Sequence, residues 1–522
     1  MFNALDATDF YEREPRDDVH IQVWFEQDPV SNPRDIQSIA FKIPDNGGSP
    51  RALYGFFGGQ VDRYLSNEIR ELCPLIYLDA GRSFDSTFGH SKWSLFGRIV
   101  RQLGDDFSRT MPEATKTAVI SHLTNAQQLL RTPLYLSFEQ QVKDAFEAQL
   151  RGSGHTISFD FRTFDALNFY KSLYPTLVEN GNLRNPSEAG SGMRNLIVLA
   201  LFRAYGEVFK GSAIIAVEEP EIYLHPHAQR SLNSLFETLT SQGVQIFMST
   251  HSAAFLSPER SDRVVRVRQL ADAEGDLSTQ IKHVDSPQLL VLRQQSHPGT
   301  AVTVESMRER YRNICTIEHC EAFFASCVVL VEGPTERGAL PIFAKYLGLD
   351  FNEFGVSVVS AGGKGNLDSL YHLYRSLEIP VFIVFDNDRE KRLQDQQLNP
   401  VLLRMLGLAP VPVPPAQCGA NYSIIDGDYE TAIAADLNAA QPGNYEVLKQ
   451  YATSQLGAAG KAILARYMAR ELVAQNIVPN TVRSIVTAID QLVRPQPIPP
   501  PPFADAPATA DWLDEEPDYD PF

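Results

Sequence analysis

The stretches CVVLVEGPTE, residues 327–336, and VFIVFDND, residues 381–388, decide the fold. Each begins with an uninterrupted apolar run of strand length and ends in acidic residues. Such a run is typical of a strand that is buried on both faces, as in a parallel sheet. Pro334 suits the first turn of a following helix. Because ligands bind beyond the carboxyl ends of parallel strands, the sequence predicts an α/β sheet whose site lies at these acids.

The acids at the two strand ends are Glu332, Glu336, Asp386 and Asp388. The turn after Glu332 can bring Glu336 to the same cation, and period-two alternation lets Asp386 and Asp388 point to one side. Hard oxygen ligands suit Mg²⁺ or Mn²⁺, and two such ions promote phosphodiester cleavage. The alternative interpretation is a set of helix caps and surface charges. The convergence of four acids from two strand ends favours the metal site.

A second acidic turn follows the apolar run at residues 213–217, which also predicts a buried strand. Glu218 and Glu219 stand side by side at its end. ATP hydrolysis needs one carboxylate for the Mg²⁺ shell and another to orient water, and we assign these roles to Glu218 and Glu219. His251, at the end of the next predicted strand, is the candidate for contact with the γ-phosphate. An acidic turn with an ordinary histidine is the alternative.

The surroundings of these residues resemble an ABC-type ATPase. EEPEIYLHP at 218–226 and STHS at 249–252 are similar to the Walker B, D-loop and H-loop motifs. The Gly-Ser-Gly turn that contains Ser191 and Gly192 resembles the ABC signature element, in the form found in overcoming lysogenization defect (OLD) proteins. Backbone N–H groups at a helix N-terminus attract phosphate. In ABC ATPases this element faces ATP held by a partner subunit, so the resemblance implies a homodimer or a higher homo-oligomer.

The acids of the first two stretches lie in motifs that resemble a Toprim domain. VEGPTE at 331–336 precedes FDND at 385–388, and HCEAFFA at 319–325 is similar to the lead-in of the OLD-family Toprim domain. The order of ATPase and then Toprim resembles the OLD family, a class that includes the Gabija nuclease subunit. The resemblance implies a DNA endonuclease or nickase regulated by ATP, in anti-phage defence or DNA repair.

The resemblance also implies site residues further along the chain. The family has a third acidic element, which Asp428 and Glu430 match, and Glu430 would bind the second metal ion. The family has a lysine that stabilises charge in the transition state, and Lys461 is our candidate, with a surface lysine as an equal alternative. Lys364 lies in a glycine-rich turn, where contact with DNA and a solvated loop position are equally expected.

One part of an ATPase is missing. No stretch of the sequence matches G-x-x-x-x-G-K-[ST], the loop that cradles nucleotide phosphates. The family carries this loop near its N-terminus, and we expect that the chain begins after it. Without the loop and its lysine the sequence argues against ATP as a bound cofactor. A late start site, a natural truncation and a degenerate ATPase are the explanations that remain open.

Composition excludes other classes of protein. The 522 residues are 43% hydrophobic and 21% charged, an ordinary globular mixture. No apolar run approaches the ~18 residues of a membrane span, and the five scattered cysteines suit a reducing cytosol, so we expect a cytoplasmic protein without a membrane partner. The formal charge of −18 argues against DNA binding through overall charge. DNA would need a local basic channel or bridging cations.

The expected organisation is an α/β ATPase domain followed by a parallel-sheet Toprim domain and a tail. The expected segments are an ABC/OLD-type ATPase domain at 1–290 that lacks the P-loop, with a helical dimerisation insertion at about 95–180, a linker at 291–321, the Toprim domain at 322–480, a C-terminal helix at 481–494, and a disordered acidic, proline-rich tail at 495–522. A non-catalytic scaffold that binds DNA or a helicase partner is the second interpretation. A topoisomerase or primase is the third, although no separate cleavage domain with a nucleophilic tyrosine is apparent.

Overall fold

The structure is a computed structural model. It describes residues 19–24, 36–43, 51–56, 59–64, 75–78, 89, 94–150, 166–173, 175–179, 182–208, 214–271, 277–299, 302–391, 393–457 and 459–494. The chain divides into two compact units, Met1–His251 and Ser252–Phe522.

The first unit mixes strands and helices. Its described strands are β1 (Val19–Trp24), β2 (Ile36–Ile43), β3 (Arg51–Phe56), β4 (Gly59–Tyr64), β5 (Leu75–Leu78), β6 (Leu177–Glu179), β7 (Asn182–Arg184), β8 (Ile214–Glu218) and β9 (Gln245–Ser249). Its described helices are α1 (Leu95–Thr110), α2 (Glu113–Leu129), α3 (Pro133–Leu150), α4 (Ala166–Tyr170), α5 (Ser191–Val208) and α6 (Pro226–Ser241).

A parallel sheet in the order β5-β8-β9 carries the predicted ATPase carboxylates. Glu218 is the last residue of β8 and lies opposite Ser249, the last residue of β9. Ile215 and Val217 of β8 are buried, which anchors the strand in the core of the unit. The acidic turn and the loop that holds His251 therefore leave the sheet at one edge. β1–β4 form a separate antiparallel sheet that the sequence analysis did not identify.

Helices α1–α3 lie within the segment predicted as a helical insertion. Ser94 caps α1, since its Oγ accepts a hydrogen bond from the N–H of Gly97 at 3.0 Å. None of the 17 residues of α2 is buried. Leu129 and Leu134, at the junction of α2 and α3, are 85% and 81% exposed. The dimerisation role of this segment stays a prediction.

The second unit begins with a strand pair and then alternates strands with helices. Its described strands are β10 (Val265–Ala271), β11 (Leu277–His283), β12 (Cys327–Val331), β13 (Val356–Ser360), β14 (Val381–Asp386), β15 (Gln417–Cys418) and β16 (Tyr422–Ile425). Its described helices are α7 (Ser286–Ser296), α8 (Val304–Ile314), α9 (Ile317–Glu321), α10 (Pro334–Tyr346), α11 (Leu367–Ser376), α12 (Leu393–Gln396), α13 (Asn399–Met405), α14 (Tyr429–Ala440), α15 (Asn444–Leu456), α16 (Lys461–Ala474) and α17 (Asn480–Val493).

A five-stranded sheet in the order β13-β12-β14-β16-β15 forms the centre of this unit. β12, β13, β14 and β16 are parallel, and β15 is an antiparallel edge strand. Successive residues of β14 enter two different cores: Phe382 packs with Phe343, and Ile383 packs with Tyr374. Burial on both faces explains the uninterrupted apolar runs. The predicted parallel α/β sheet is confirmed.

The segment at 291–321 was expected to be a linker, and this expectation is wrong. α7 and α8 pack onto α11 and place Leu289 and Tyr311 in one of the two cores. Arg293 of α7 pairs at 3.1 Å with Asp368 of α11, whose side chain is 2% exposed. Met307 and Tyr311, four residues apart on α8, are its buried residues, while Glu305, Glu309 and Arg312 are exposed. The segment therefore belongs to the folded second unit.

His372 of α11 is a further part of this interface. Its ring Nε2 lies 2.9 Å from Oγ of Ser296. Burial lowers the pKa of His372 to about 4, although the charge of Asp368 acts in the opposite direction and Arg293 and His297 assist the lowering. The folded protein therefore stabilises the neutral form of the His372 ring relative to the protonated form.

We expect acid to destabilise the protein through His372. The unfolded chain binds a proton near the ordinary histidine pKa, whereas the folded chain does not, so the contribution of His372 to stability is lost as pH falls from ~6.5 towards ~4, by up to ~3 kcal/mol. His372→Gln should remove most of this loss in urea unfolding curves followed by circular dichroism at two pH values. His283→Gln, at an exposed position of β11, is the matched control. Equal acid sensitivity in the His372 variant and the wild type would contradict the assignment.

The C-terminal part of the second unit ends in α17, which lies where the C-terminal helix was predicted and buries Ile485 and Ile489. The predicted tail at 495–522 lies outside the described residues. Within the part of the chain that the structure describes, no helix has the length and apolar character needed to cross a bilayer.

Candidate metal centre

The carboxyl ends of β12 and β14 bring the predicted acids together. The two strands are adjacent and parallel, with Val331 opposite Val384, so Glu332 and Asp386 leave the sheet side by side. The backbone N–H of Asp386 donates to Oε2 of Glu332 at 3.2 Å. Gly333 is extended and allows α10 to begin at once, which puts Glu336 in its first turn.

Three of the acids offer oxygen atoms that lie within 4.8 Å of one another: Glu332, Asp386 and Asp388. Asp386 is 6% exposed and Asp388 is 2% exposed. Glu336 is 5% exposed and lies outside this group. A set of buried carboxylates this close together requires positive charge nearby.

The carboxylate oxygens of this cluster fit a divalent cation. Among the described residues, none donates a hydrogen bond to Oε2 of Glu336 or to Oδ1 of Asp386, although both atoms are buried. Buried oxygens normally have hydrogen-bond partners, and these two point to a ligand that is a cation. Oxygen donors at this density suit a hard divalent ion.

The pKa values of the acids reflect the same crowding. Burial raises the pKa of Asp386 to about 9, with help from the charges of Glu332 and Glu336. Burial and the charge of Glu332 raise the pKa of Glu336 to about 7. The pKa of Glu332 is also raised, mainly by burial, while the Lys364 ammonium opposes the rise. Metal binding would reverse these shifts because it favours the ionised carboxylates.

Lys364 differs from both predictions made for it, contact with DNA and a solvated loop position. Lys364 is 6% exposed, and its ammonium donates to the carboxylate of Asp388, to the backbone carbonyl of Asp386 and to Oδ1 of Asn399. Its Nζ is also 3.9 Å from Oε2 of Glu332. Lys364 is therefore an internal part of the acidic cluster, and both expectations for it are wrong.

Several further residues of the centre had not been identified from the sequence. Lys391 Nζ lies 2.6 Å from Oδ1 of Asp388. The Asn387 side chain joins β14 to the turn after β16, since it donates to Asp426 at 3.0 Å and accepts from the N–H of Gly427 at 2.8 Å. The parallel neighbour β16 ends beside β14, so the signal that could have found Asp426 is the turn that follows its apolar run, YSII at 422–425.

Glu430 and Lys461 lie at a cavity of about 140 Å³ lined mainly by apolar and aromatic side chains. The Lys461 ammonium is 3.9 Å from Oε1 of Glu430. Glu430 is outside the group of three, but its charge contributes to the raised pKa of Glu336. The metal role of Glu430 and the catalytic role of Lys461 stay predictions.

Asp428 acts as a helix cap in the structure. Its carboxylate accepts a hydrogen bond from the N–H of Thr431 at 2.8 Å at the start of α14. Burial acts to raise the pKa of Asp428, but the hydrogen bonds from Thr431 outweigh it and hold the pKa below the ordinary value. The contact observed for Asp428 is that of a helix cap. The catalytic role of Asp428 stays a prediction.

The predicted ATP-site residues of the first unit lie at the ends of β8 and β9. His251 Nε2 is 3.8 Å from Oε1 of Glu219, and Tyr77 of β5 donates to Glu218. Glu219 adopts a left-handed φ of 41°, which turns the chain sharply after the strand. The structure thus brings Glu219 and His251 together. The roles of Glu218, Glu219 and His251 in an ATP site stay predictions.

The predicted signature element begins α5. Ser191 is its first residue, and its side chain is outside the described part of the structure. Gly192 lies beside the turn after β8, since a Cβ atom on it would be 3.9 Å from the carbonyl oxygen of Tyr223. Their contact with nucleotide stays a prediction.

Glu221 is a residue of the ATPase turn whose role the motif did not reveal. Its carboxylate accepts hydrogen bonds from Oγ1 of Thr250 at 2.8 Å and from the N–H of His251 at 2.5 Å. Glu221→Ala should destabilise the first unit by about 1–3 kcal/mol, because both donors lose this acceptor. Urea unfolding measures the loss, with Glu237→Ala on the exposed side of α6 as control. Equal midpoints for the two variants would contradict this role.

Comparison with known proteins follows the same division of the chain. Residues 323–388 match the family described as "Overcoming lysogenization defect protein-like, TOPRIM domain". Residues 6–256 match the family described as "AAA ATPase domain". The predicted order of an ATPase domain and then a Toprim domain is therefore confirmed. A Toprim domain with this acidic cluster indicates the use of a divalent metal.

Two curated relatives and one solved structure are similar to this chain. The OLD nuclease of Thermus scotoductus is 26% identical over 349 residues, which is 63% of this chain and 61% of that protein. The Old nuclease of Escherichia phage P2 is 28% identical over 214 residues, which is 40% of this chain and 34% of that protein. The C-terminal region of the Burkholderia pseudomallei OLD protein is 20% identical, covers 33% of this chain and 100% of that chain, and has a TM-score of 0.26.

These relatives are longer than the matched region, and the chain spans 61% and 34% of their respective lengths. The two domain matches nevertheless occur in the predicted order, and both relatives carry the OLD name. The chain is therefore similar to OLD proteins and carries matches to an ATPase domain and to an OLD-like Toprim domain, in that order.

Proposed function

We propose that this chain is a metal-dependent DNA endonuclease or nickase of the OLD type and that its ATPase unit regulates cleavage. The observation that carries the proposal is the cluster of Glu332, Asp386 and Asp388 at the edge of a parallel sheet. Among the described residues, none donates a hydrogen bond to the buried Oδ1 of Asp386 in this cluster, and such an oxygen suits a cation. The nuclease names of both relatives support the same reaction. A cytoplasmic location is part of the proposal.

The proposed cofactor is Mg²⁺ or Mn²⁺, with two ions in the centre. Glu332, Asp386 and Asp388 would hold one ion, and Glu336 with Glu430 would hold the other. When bound, such ions activate water and stabilise the leaving oxygen of a phosphodiester. The chain's own carboxylates fix the positions of the ions, and Lys461 would place a positive charge near the phosphate.

The proposed substrate is DNA, and the charge of the chain shapes how DNA would bind. With a net charge of −18, the protein as a whole repels the phosphate backbone. Ions in the acidic centre would reverse the local sign of the potential and bridge a phosphate to the carboxylates. We therefore expect productive DNA binding to require the divalent ion.

The test is incubation of supercoiled plasmid with the purified chain, in Mg²⁺ or Mn²⁺ and in chelator, each with and without ATP. We expect nicked or linear DNA with metal and intact plasmid with chelator. An effect of ATP on the rate would support the regulatory part of the proposal. No cleavage with either ion would refute the nuclease and favour a scaffold that binds DNA or a helicase, and religated topoisomers would indicate a topoisomerase.

We also propose that the chain forms a homodimer through α2 and α3. The support is their exposed apolar side chains, which include Ile120, Leu129, Leu130, Leu134 and Phe138, since exposed apolar surface of this kind is found at interaction sites. Leu134→Glu combined with Phe138→Glu should convert a dimer to a monomer in sedimentation velocity experiments. A wild-type chain that sediments as a monomer at all concentrations would refute this arrangement.

A further inference from the structure

The path of the chain around Lys364 buries a lysine beneath the metal centre. Gly362 and Gly363, just before it, have φ values of 67° and 130°, which L-residues with side chains rarely adopt. The N–H of Gly363 donates to the carbonyl of Glu332 at 2.9 Å, and a single 3₁₀ turn, Lys364–Asn366, follows. This turn directs the Lys364 side chain inward, under the end of β14.

The Lys364 ammonium uses all three of its donors within the protein. They go to the carbonyl of Asp386, to the carboxylate of Asp388 and to Oδ1 of Asn399, the last at 3.0 Å. A buried ammonium is stable only when paired and hydrogen-bonded in this way. The contacts fix the backbone of one aspartate and the side chain of the other.

Asn399 extends the same support to the residue between the two aspartates. It is fully buried, and its Nδ2 donates to the carbonyls of Asn387 and Pro412, both at 2.7 Å. Asp388 has a left-handed φ of 53°, a conformation that side-chain-bearing residues hold only where the surroundings enforce it. Lys364 and Asn399 together supply contacts that enforce it.

We propose that Lys364 is a positioning residue for the metal centre: it holds Asp386 and Asp388 in the geometry that binds the divalent ion. The inference rests on the proposed function, because it assigns the support of that same site. Lys364 acts through the two aspartates and is not itself a metal ligand or a catalytic residue.

A role of Lys364 through its charge and a role through positioning predict opposite changes in metal affinity when the ammonium is removed. A positive charge near the site repels a divalent cation, so loss of the charge alone would tighten metal binding. Loss of positioning would weaken it, because Asp388 would keep its contact with Lys391 but lose the one with Lys364, and the Asp-x-Asp turn could relax. Lys364→Met distinguishes the two effects by the sign of the change in affinity.

The experiment is a titration of the full chain with Mn²⁺, monitored by electron paramagnetic resonance of the free ion, in the absence of DNA. We expect Lys364→Met to bind Mn²⁺ at least tenfold more weakly than the wild type, and Asn399→Ala, which keeps the lysine charge, to weaken binding about threefold to tenfold. Lys345→Met is the control, since it removes the same charge from a residue whose side chain is 74% exposed, and it should not change the affinity.

Unchanged or tighter binding by folded Lys364→Met would overturn the inference. Wild-type affinity in Asn399→Ala would also overturn it, and this result stands even if the lysine variant fails to fold, as judged by near-ultraviolet circular dichroism. If the wild type binds Mn²⁺ and cleaves plasmid while these variants bind equally well, only the positioning role fails. A wild-type chain that binds no Mn²⁺ would overturn the proposed function and this inference together.

Discussion

Asp386→Asn is expected to lower the rate of plasmid cleavage by about three orders of magnitude, the loss that follows when the main electrostatic support of a transition state is removed. Asp386 lies among the three clustered acids, and Oδ1 of its carboxylate is buried without a hydrogen bond from the described residues. Asparagine has the same shape but no charge, so a metal ion loses a ligand while the packing is preserved. The rate of nicking in Mn²⁺ is the measurement.

The same variant should not be less stable than the wild type in metal-free buffer. The pKa of Asp386 is raised to about 9, so near pH 8 in chelator the folded wild type must keep a proton there that the unfolded chain has released. Asparagine removes this cost, so its unfolding midpoint should equal or exceed that of the wild type. Comparing the unfolding midpoints thus distinguishes a loss of activity from a loss of folded structure. Asp350→Asn, which breaks a surface pair with Lys345, is the control and should cleave normally. More than about a tenth of wild-type activity in Asp386→Asn would contradict the proposed centre.

In chelator, the free energy of unfolding is expected to fall by a few kcal/mol as pH rises from about 5 to about 9. The pKa of Asp386 is raised to about 9 and that of Glu336 to about 7. Over this range the folded chain keeps protons that the unfolded chain, with ordinary carboxyl pKa values near ~4, has already released. Because the folded chain binds more protons than the unfolded chain over this range, its stability decreases with increasing pH.

Saturating Mn²⁺ should abolish most of this decrease, because an ion that binds only the folded chain stabilises it and replaces the protons. Urea unfolding at several pH values, with chelator and with Mn²⁺, gives the two curves. Asp386→Asn should flatten the chelator curve, and Asp350→Asn should leave it unchanged. Parallel curves with and without the ion would show that the carboxylates do not bind it.

The sequence was sufficient for the sheet and for the acids at its edge. The runs that became β12 and β14 are apolar throughout, and a strand buried on both faces has few other compositions. The topology of parallel strands then brings Glu332 and Asp386 together without further information. The motifs around them also led to the correct order of domains, which the family matches confirm.

The internal support of the centre could not be predicted in the same way. Lys364 is 24 residues from Asp388 in sequence and Asn399 is 35 residues from Lys364, and no periodic pattern links such polar positions. A lysine after two glycines reads as a loop residue, since lysine is rarely buried. Only the three-dimensional path of the turn reveals that the Lys364 ammonium is buried and pairs with the carboxylate of Asp388.

The packing of α7 and α8 onto α11 has a practical consequence for work with protein fragments. A nuclease fragment that starts at residue 322 would lack Arg293 and His297, whose side chains contact Asp368, and would uncover the apolar surface that Leu289 and Tyr311 cover. Such a fragment should precipitate or resist refolding, whereas one that starts at Ser252 retains every one of these contacts. Trypsin digestion of the intact chain should accordingly release a resistant piece that still includes α7.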